Sequence, residues 1–166
     1  VKIYITGASG TGKTSIAREL AARGIPALDM DSICHREHRE TGKEAGWEPG
    51  KTDEWYESHG WVCNVDSLED FLARNQTAVA VGLSSNQDAY LPLFDKVFVL
   101  YASPEVIIER LNARTDNEYG KHPNEQQRLL SWHRSFEKEM ADRGAIPINT
   151  ERPLSETVED ILSKIR

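Results

Sequence analysis

Short apolar runs alternate along the chain with longer stretches in which apolar residues recur every three or four positions. Lys2-Ile3-Tyr4-Ile5-Thr6 reads as a strand. Ile16, Ala17, Leu20 and Ala21 then fall on one face of a helix that stops at Gly24, a residue suited to the turn after a helix end. Residues 25–28 form a second strand closing on Asp29-Met30-Asp31, and residues 77–81, 96–101 and 145–148 form three more. Asp66-Ser67-Leu68-Glu69 has the spacing of a capping box for a helix running to about Arg74. Ser103-Pro104 supplies a cap and a first-turn proline for a helix carrying Ile107, Ile108 and Leu111. Another helix spans residues 125–143, and the last places Leu154, Val158, Ile161, Leu162 and Ile165 at helical spacing. Strands alternating with helices call for a parallel sheet covered on both faces.

The pattern fails between about 32 and 60. That segment is polar and rich in Glu and Gly, with Trp47, Trp55 and Trp61 among charges. Helical pieces are expected around 32–40 and 53–59. The aromatic residues either anchor a small lobe or wall a planar ligand. Residues 36–59 hold seven acids against four bases. A second polar stretch, 115–124, separates two of the helices.

At 166 residues the chain is one domain, too short for an eight-fold β/α barrel or a protein kinase. Its net charge of −7, acidic in both halves, opposes extended contact with nucleic-acid backbones or anionic lipid and leaves room for a local basic pocket. Cys34 and Cys63 match no metal or redox spacing and read as reduced thiols of a cytoplasmic protein. His35, His38 and His59 lack a second ligand cluster at metal spacing. No apolar run reaches the ~18 residues of a membrane span, and no targeting segment is expected before the first strand.

Gly7-Ala8-Ser9-Gly10-Thr11-Gly12-Lys13-Thr14 satisfies G-x-x-x-x-G-K-[ST] between a strand and a helix. Glycines allow the tight turn that converges backbone N–H groups on phosphate at a helix start. Lys13 adds a mobile charge, and the Thr14 hydroxyl can ligate Mg²⁺. The acidic partner narrows the class. No Asn-Lys-x-Asp guanine signature occurs, and strands 77–81 and 96–101 do not end in the Asp of motor or transporter ATPases. The carboxylates stand after the second strand, at Asp29 and Asp31, where both can point toward the carboxyl edge of the sheet. Each also suits a turn or a helix cap.

This loop followed by Leu28-Asp29-Met30-Asp31 resembles the small P-loop kinases: shikimate kinase, gluconate kinase and nucleoside monophosphate kinases. The resemblance implies a three-layer αβα P-loop NTPase fold, a single domain with a five-stranded parallel sheet, an acceptor-binding insertion at 32–75 and a lid at 114–124. It implies ATP and Mg²⁺, with Asp29 supporting the metal shell beside Thr14 and Asp31 contacting the acceptor hydroxyl and taking its proton. It makes Arg114 the lid arginine, with Lys121 a second candidate. Arg110 would stack on the adenine face opposite Pro153. Arg110 and Arg114 equally suit a solvated helix face paired with Glu105, Glu109 or Asp116, and Pro153 suits a helix start.

For the acceptor, Arg36 and Arg39 would bind phosphate if they converged from one helix face. Gly82, Ser84 and Asn86 stand where shikimate kinase has a glycine-rich loop, but only Gly82 matches, which counts against shikimate itself. Ser84, Ser85 and Asn86 either hydrogen-bond hydroxyls or form an Asx turn. The acid excess in 36–59 favours a neutral or cationic acceptor. The expected activity is phosphorylation of a small-molecule hydroxyl. Alternatives are a nucleoside or nucleoside monophosphate kinase, or a nucleotide-binding switch without significant phosphotransfer. The acidic charge disfavours nucleic acid as a partner.

Overall fold

The structure, a computed structural model, describes residues 1–165. Strand β1 (Lys2–Gly7) is the centre of a five-stranded parallel sheet ordered β2-β6-β1-β7-β8, with β2 at Ala27–Asp29, β6 at Ala78–Val81, β7 at Lys96–Tyr101 and β8 at Ile146–Asn149. Ile3, Tyr4 and Ile5 are fully buried, as a central parallel strand covered on both faces requires. Its register sets Ile5 against Val81 on one side and Phe98 on the other. The connection from β1 runs to the β2 edge, and the one from β6 crosses to β7 on the other side of β1, so the loop after β1 opens at the crevice where such sheets bind ligands.

Alternate residues of β1 feed different layers. Ile3 and Ile5 pack with Ile16 and Leu20 of α1 (Lys13–Ala22) and with Val158 and Ile161 of α6 (Leu154–Ile165). Tyr4 packs on the opposite face with Leu68 and Leu72 of α3 (Val65–Arg74) and with Tyr90. Beside it, Phe136 and Met140 of α5 (Pro123–Asp142) cover Val99. Leu129, also on α5, meets Ile107 and Leu111 of α4 (Pro104–Ala113).

The polar segment departs from expectation. Where a helix was expected at 32–40, Asp29 caps a 3₁₀ turn at Met30–Ile33, and strand β3 (Cys34–His38) follows. It forms an antiparallel sheet ordered β4-β3-β5 with β4 (Glu44–Ala45) and β5 (His59–Cys63). Pairing of Arg36 with Trp61 and Glu37 with Gly60 overrides the helical preference of Arg and Glu. The expected helix near 53–59 is α2 (Asp53–Ser58), capped by the Thr52 side chain on the Trp55 N–H. The α3 cap is Asn64, which accepts from the Ser67 N–H; Asp66 lies in the first turn, where its charge suits the helix start.

Cys34 and Cys63, distant in sequence, face each other across β3 and β5 as free thiols. The Asn64 N–H to Ile33 carbonyl bond of 2.9 Å makes theirs a non-hydrogen-bonded pair, the arrangement that brings side chains closest. The hydrogen bond with the facing Cys63 thiol, with burial added, pushes Cys34 up.

Candidate active site

The loop after β1 is shaped by backbone conformation. Gly10 and Gly12 take φ of 84° and 98°, in the left-handed region. A Cβ on Gly10 would also meet the Ile107 carbonyl oxygen at 3.0 Å, so α4 presses the loop into place. Gly12 caps α1 without a side-chain hydrogen bond, and no acid occupies the first turn. The helix start therefore keeps its N–H groups and positive dipole end for an anion. Thr11 donates to the Ala8 carbonyl at 2.7 Å, while Lys13 Nζ donates to the Gly7 and Ala8 carbonyls at 2.7 and 2.9 Å.

Ser9, Gly10, Thr11, Gly12, Lys13 and Thr14 line a cavity of about 990 Å³. Burial pushes the Lys13 ammonium down to about 8, with the charges of Asp31 and Asp29 working against that shift. Asp31 stands on the same wall, and burial raises its carboxyl above the usual range while Lys13 opposes. Arg114, just past the end of α4, completes the group. It donates to the Asn117 carbonyl at 3.1 Å and to the Tyr119 carbonyl. Burial lowers its pKa, opposed by Asp116 and Asp31. Arg110 donates to the Thr150 hydroxyl at 2.9 Å, to its carbonyl at 2.6 Å and to the Gly10 carbonyl at 3.4 Å, tying the loop after β8 to the phosphate loop.

Across the cavity the walls are side chains from five elements. The Arg36 guanidinium lies 5.4 Å from the ring centres of Tyr56 and Trp61 and 5.9 Å from those of Trp55 and Tyr119. Arg128 of α5 sits over the same Tyr56 ring at 5.4 Å. Arg39, anchored by a 2.9 Å bond to the Glu57 carbonyl, lines the same space. Burial raises the Tyr119 phenol, and three cations, Arg36, Arg128 and Arg114, act against that shift. Behind them Glu125, wholly buried, accepts from the Tyr56 hydroxyl at 2.6 Å and from the Gly120 N–H at 2.7 Å. Trp47 Nε1 donates to the same Tyr56 oxygen at 2.8 Å. This chain of bonds joins the polar segment before the helix, where Gly120 lies, to the insertion.

Residues 3–131 match the family described as the AAA domain. The chain belongs to that family. No curated protein sequence matches it. Among solved structures, this AAA-domain chain is similar to a shikimate kinase from Acinetobacter baumannii in complex with shikimate, with a TM-score of 0.63 and 22% identity over 99% of this chain and 92% of that one. It is similar to a gluconokinase from Sinorhizobium meliloti, with a TM-score of 0.56 and 21% identity over 98% and 89% of the two chains. A deoxyadenosine kinase from M. mycoides with bound dATP gives 0.60 and 14% over 99% of both. The fold of this AAA-domain protein is that of the small P-loop kinases.

Of the residues singled out from sequence, the AAA-domain cavity brings together Ser9 to Thr14, Asp31, Arg36, Arg39, Ser84, Arg110 and Arg114. Others stand elsewhere. Arg36 and Arg39 converge from a strand and its end, not from a helix face. Asp29 spends a carboxylate oxygen on the Asp31 N–H at 3.1 Å, behind the wall. Gly7 contributes its carbonyl to Lys13, and a Cβ there would meet the Thr11 hydroxyl at 2.8 Å.

Lys121 pairs with Glu118 at 2.9 Å, off the cavity wall. The Pro153 carbonyl accepts the Thr157 N–H at 3.1 Å at the start of α6, and Thr150, Arg152 and Leu154 supply the wall there instead. At Gly82 a Cβ would come within 2.6 Å of the Met30 Cβ, so the residue serves packing. Asn86 clasps both the N–H and the carbonyl of Cys63 at 2.9 Å, bracing β5. The Ser84 hydroxyl bonds Tyr90 at 2.9 Å and Asn86 at 2.8 Å. Sequence reasoning missed Tyr119, Glu125 and Arg128. Pro123 at a first helical position with Glu125 two residues on was a readable signal for Glu125.

Proposed function

We propose that the chain is an ATP- and Mg²⁺-dependent phosphotransferase acting on a hydroxyl of a small anionic acceptor. One observation carries this reading: Lys13, Asp31 and Arg114 wall a single cavity and shift one another's titration. Phosphoryl transfer needs positioning and charge neutralisation more than covalent chemistry, and those three groups supply both. The uncapped α1 start and Lys13 hold the polyphosphate. Lys13 exchanges its bonds to the Gly7 and Ala8 carbonyls for phosphate oxygens. Arg110 and Thr150 border the base. Arg114 neutralises charge on the group in flight, and Asp31 accepts the hydroxyl proton.

The donor set fits Mg²⁺: Thr14 lines the phosphate loop's cavity, and the charges of Asp31 and Asp29 act on Lys13. Thr14 would hold the ion directly, with Asp29 and Asp31 ordering its shell. Magnesium would supply charge neutralisation for the bound polyphosphate.

Arg36, Arg39 and Arg128 favour an anionic acceptor over the neutral or cationic one that the acid count of the insertion suggests. Charge at a site is local, and most of those acids face solvent. A nucleoside monophosphate, whose phosphate the three guanidiniums would hold, is the second reading. The cytoplasm, with its ATP and Mg²⁺, is the compartment this activity needs. Among the described residues no helix is long and apolar enough to cross a membrane.

The test is ADP release with ATP, Mg²⁺ and a panel of hydroxy acids, sugar acids, nucleosides and nucleoside monophosphates. Acceptor-dependent release that disappears in Lys13→Ala is expected. Silence across the panel would favour a nucleotide-binding switch, and an unchanged rate in Lys13→Ala would overturn the catalytic role of the loop.

A further inference from the structure

Beyond the arginines the cavity changes character. Leu129, Trp132 and Phe136 recur along one face of α5 and line it, with Leu83 from the segment after β6 packed against the same cluster as Trp132 and Phe136. Trp132 and Phe136 meet edge to face with ring centres 5.5 Å apart. Trp132 packs against two core clusters yet remains half-buried, as does Leu83, so both keep apolar surface toward the cavity.

We propose that this wall is an apolar subsite for the body of the acceptor, so that the acceptor is a hydroxylated anion carrying a planar apolar group. This deepens the kinase reading above and rests on it. A small polar acid would satisfy the guanidiniums and Asp31 but leave Leu83 and Trp132 against water. An acceptor with an apolar body covers both. The anionic head, the reacting hydroxyl and the apolar body then address three walls of one cavity: Arg36 with Arg128, Asp31, and Trp132 with Leu83. Sites that combine an apolar wall with a few convergent polar groups are the usual form of small-molecule recognition.

Isothermal titration of the ADP-saturated protein with lactate, 3-phenyllactate, indole-3-lactate and 2-phenylethanol tests the assignment. Lactate and phenyllactate share the hydroxy-acid head, while phenylethanol keeps the ring and hydroxyl without the carboxylate. Phenyllactate is expected to bind at least about tenfold tighter than either lactate or phenylethanol, the discrimination an apolar pocket supplies. Trp132→Ala should erase the advantage over lactate, and Arg36→Met the advantage over phenylethanol. Indole-3-lactate, which also carries a planar ring, should share the advantage over lactate. Leu83→Ala provides the same comparison as Trp132→Ala should the latter fail to fold.

Equal binding of lactate and phenyllactate, no binding of any of the four, or a phenyl advantage that survives in folded Trp132→Ala would overturn the subsite. Ring-dependent binding without any ADP release from ATP would remove the kinase reading and leave the subsite standing. Release that is equally efficient with lactate and phenyllactate would do the reverse.

Discussion

The two sides of the cavity recognise ligands by different means. On the nucleotide side, eight contiguous residues use backbone N–H groups, two left-handed glycines and one lysine. On the acceptor side, Arg36 comes from β3, Tyr56 from α2, Trp61 from β5, Arg128 from α5, and Tyr119 from the polar segment before α5. The first kind of site is fixed by local conformation. The second depends on strand register, because a one-residue slip between β3 and β5 would send Arg36 to the other face of the small sheet. Phosphate recognition by backbone therefore leaves a signature in the chain, and recognition by assembled side chains does not.

The largest expected effect falls where the two sides meet. Arg114, at the end of α4, lines the same cavity as the phosphate loop and is held by the Asn117 and Tyr119 carbonyls. Arg114→Ala should lower kcat on the order of 10³-fold while ADP affinity changes little, as measured by steady-state kinetics and titration. Equal losses in both would make Arg114 part of the nucleotide side alone.

Next is the bond chain through Glu125. Glu125→Ala leaves the buried Tyr56 hydroxyl and Gly120 N–H unmet and should cost about 3 kcal/mol in urea unfolding. Tyr56→Phe should cost about 1–2 kcal/mol, and the double variant should fall short of the sum by about 1 kcal/mol or more. Full additivity would separate the segment around Gly120 from the insertion and break the account of a jointly built acceptor wall.

A smaller effect belongs to the nucleotide side. Burial holds free Lys13 at about 8, below its ordinary 10.5. A bound polyphosphate favours the ammonium and raises that value. Below pH 8 the lysine is charged before and after binding, so ADP affinity should be flat there. Above pH 8 the free protein must first take up a proton, and affinity should fall by about tenfold per pH unit. Titration between pH 6.5 and 9.5 checks this, and Lys13→Met should flatten the profile. The sign for folding is opposite. Between about 8 and 10.5 the unfolded chain binds the extra proton, so this group's contribution to stability rises with pH.

The sequence carried the parallel sheet because β1, β6 and β7 are buried on both faces and read as unbroken apolar runs. It carried the phosphate loop because glycine positions there answer to backbone geometry. It did not carry the small sheet. Arg, Glu and His in β3 have no strand preference of their own, and partners in β5, 21 to 27 residues away, decide their state. Arg128 lies in a helix with no local motif to single it out, and its place over Tyr56 is a tertiary fact. The resemblance put Arg114 first and Lys121 second as the lid cation; Glu118 holds Lys121 off the cavity wall, whereas Arg114 lines it.

The same difference explains the misplaced cap of α3. Asp66-Ser67-Leu68-Glu69 and Asn64-Val65-Asp66-Ser67 both offer a capping residue, and local pattern prefers the first for its Glu. What selects the second is β5. Asn64 follows Cys63 directly, and its N–H is committed to the Ile33 carbonyl across the strands, which sets extended backbone at Asn64 and points its side chain at the Ser67 N–H, 3.0 Å away. Asn64→Ala should therefore cost about 1 kcal/mol in thermal or urea unfolding, and Asp66→Ala only a few tenths from lost charge at the helix start. The reverse order would mean that α3 begins two residues later in solution. The junction between β5 and α3 would then be locally determined, like the phosphate loop, and the contrast between the two sides of the molecule would weaken at the element that joins them.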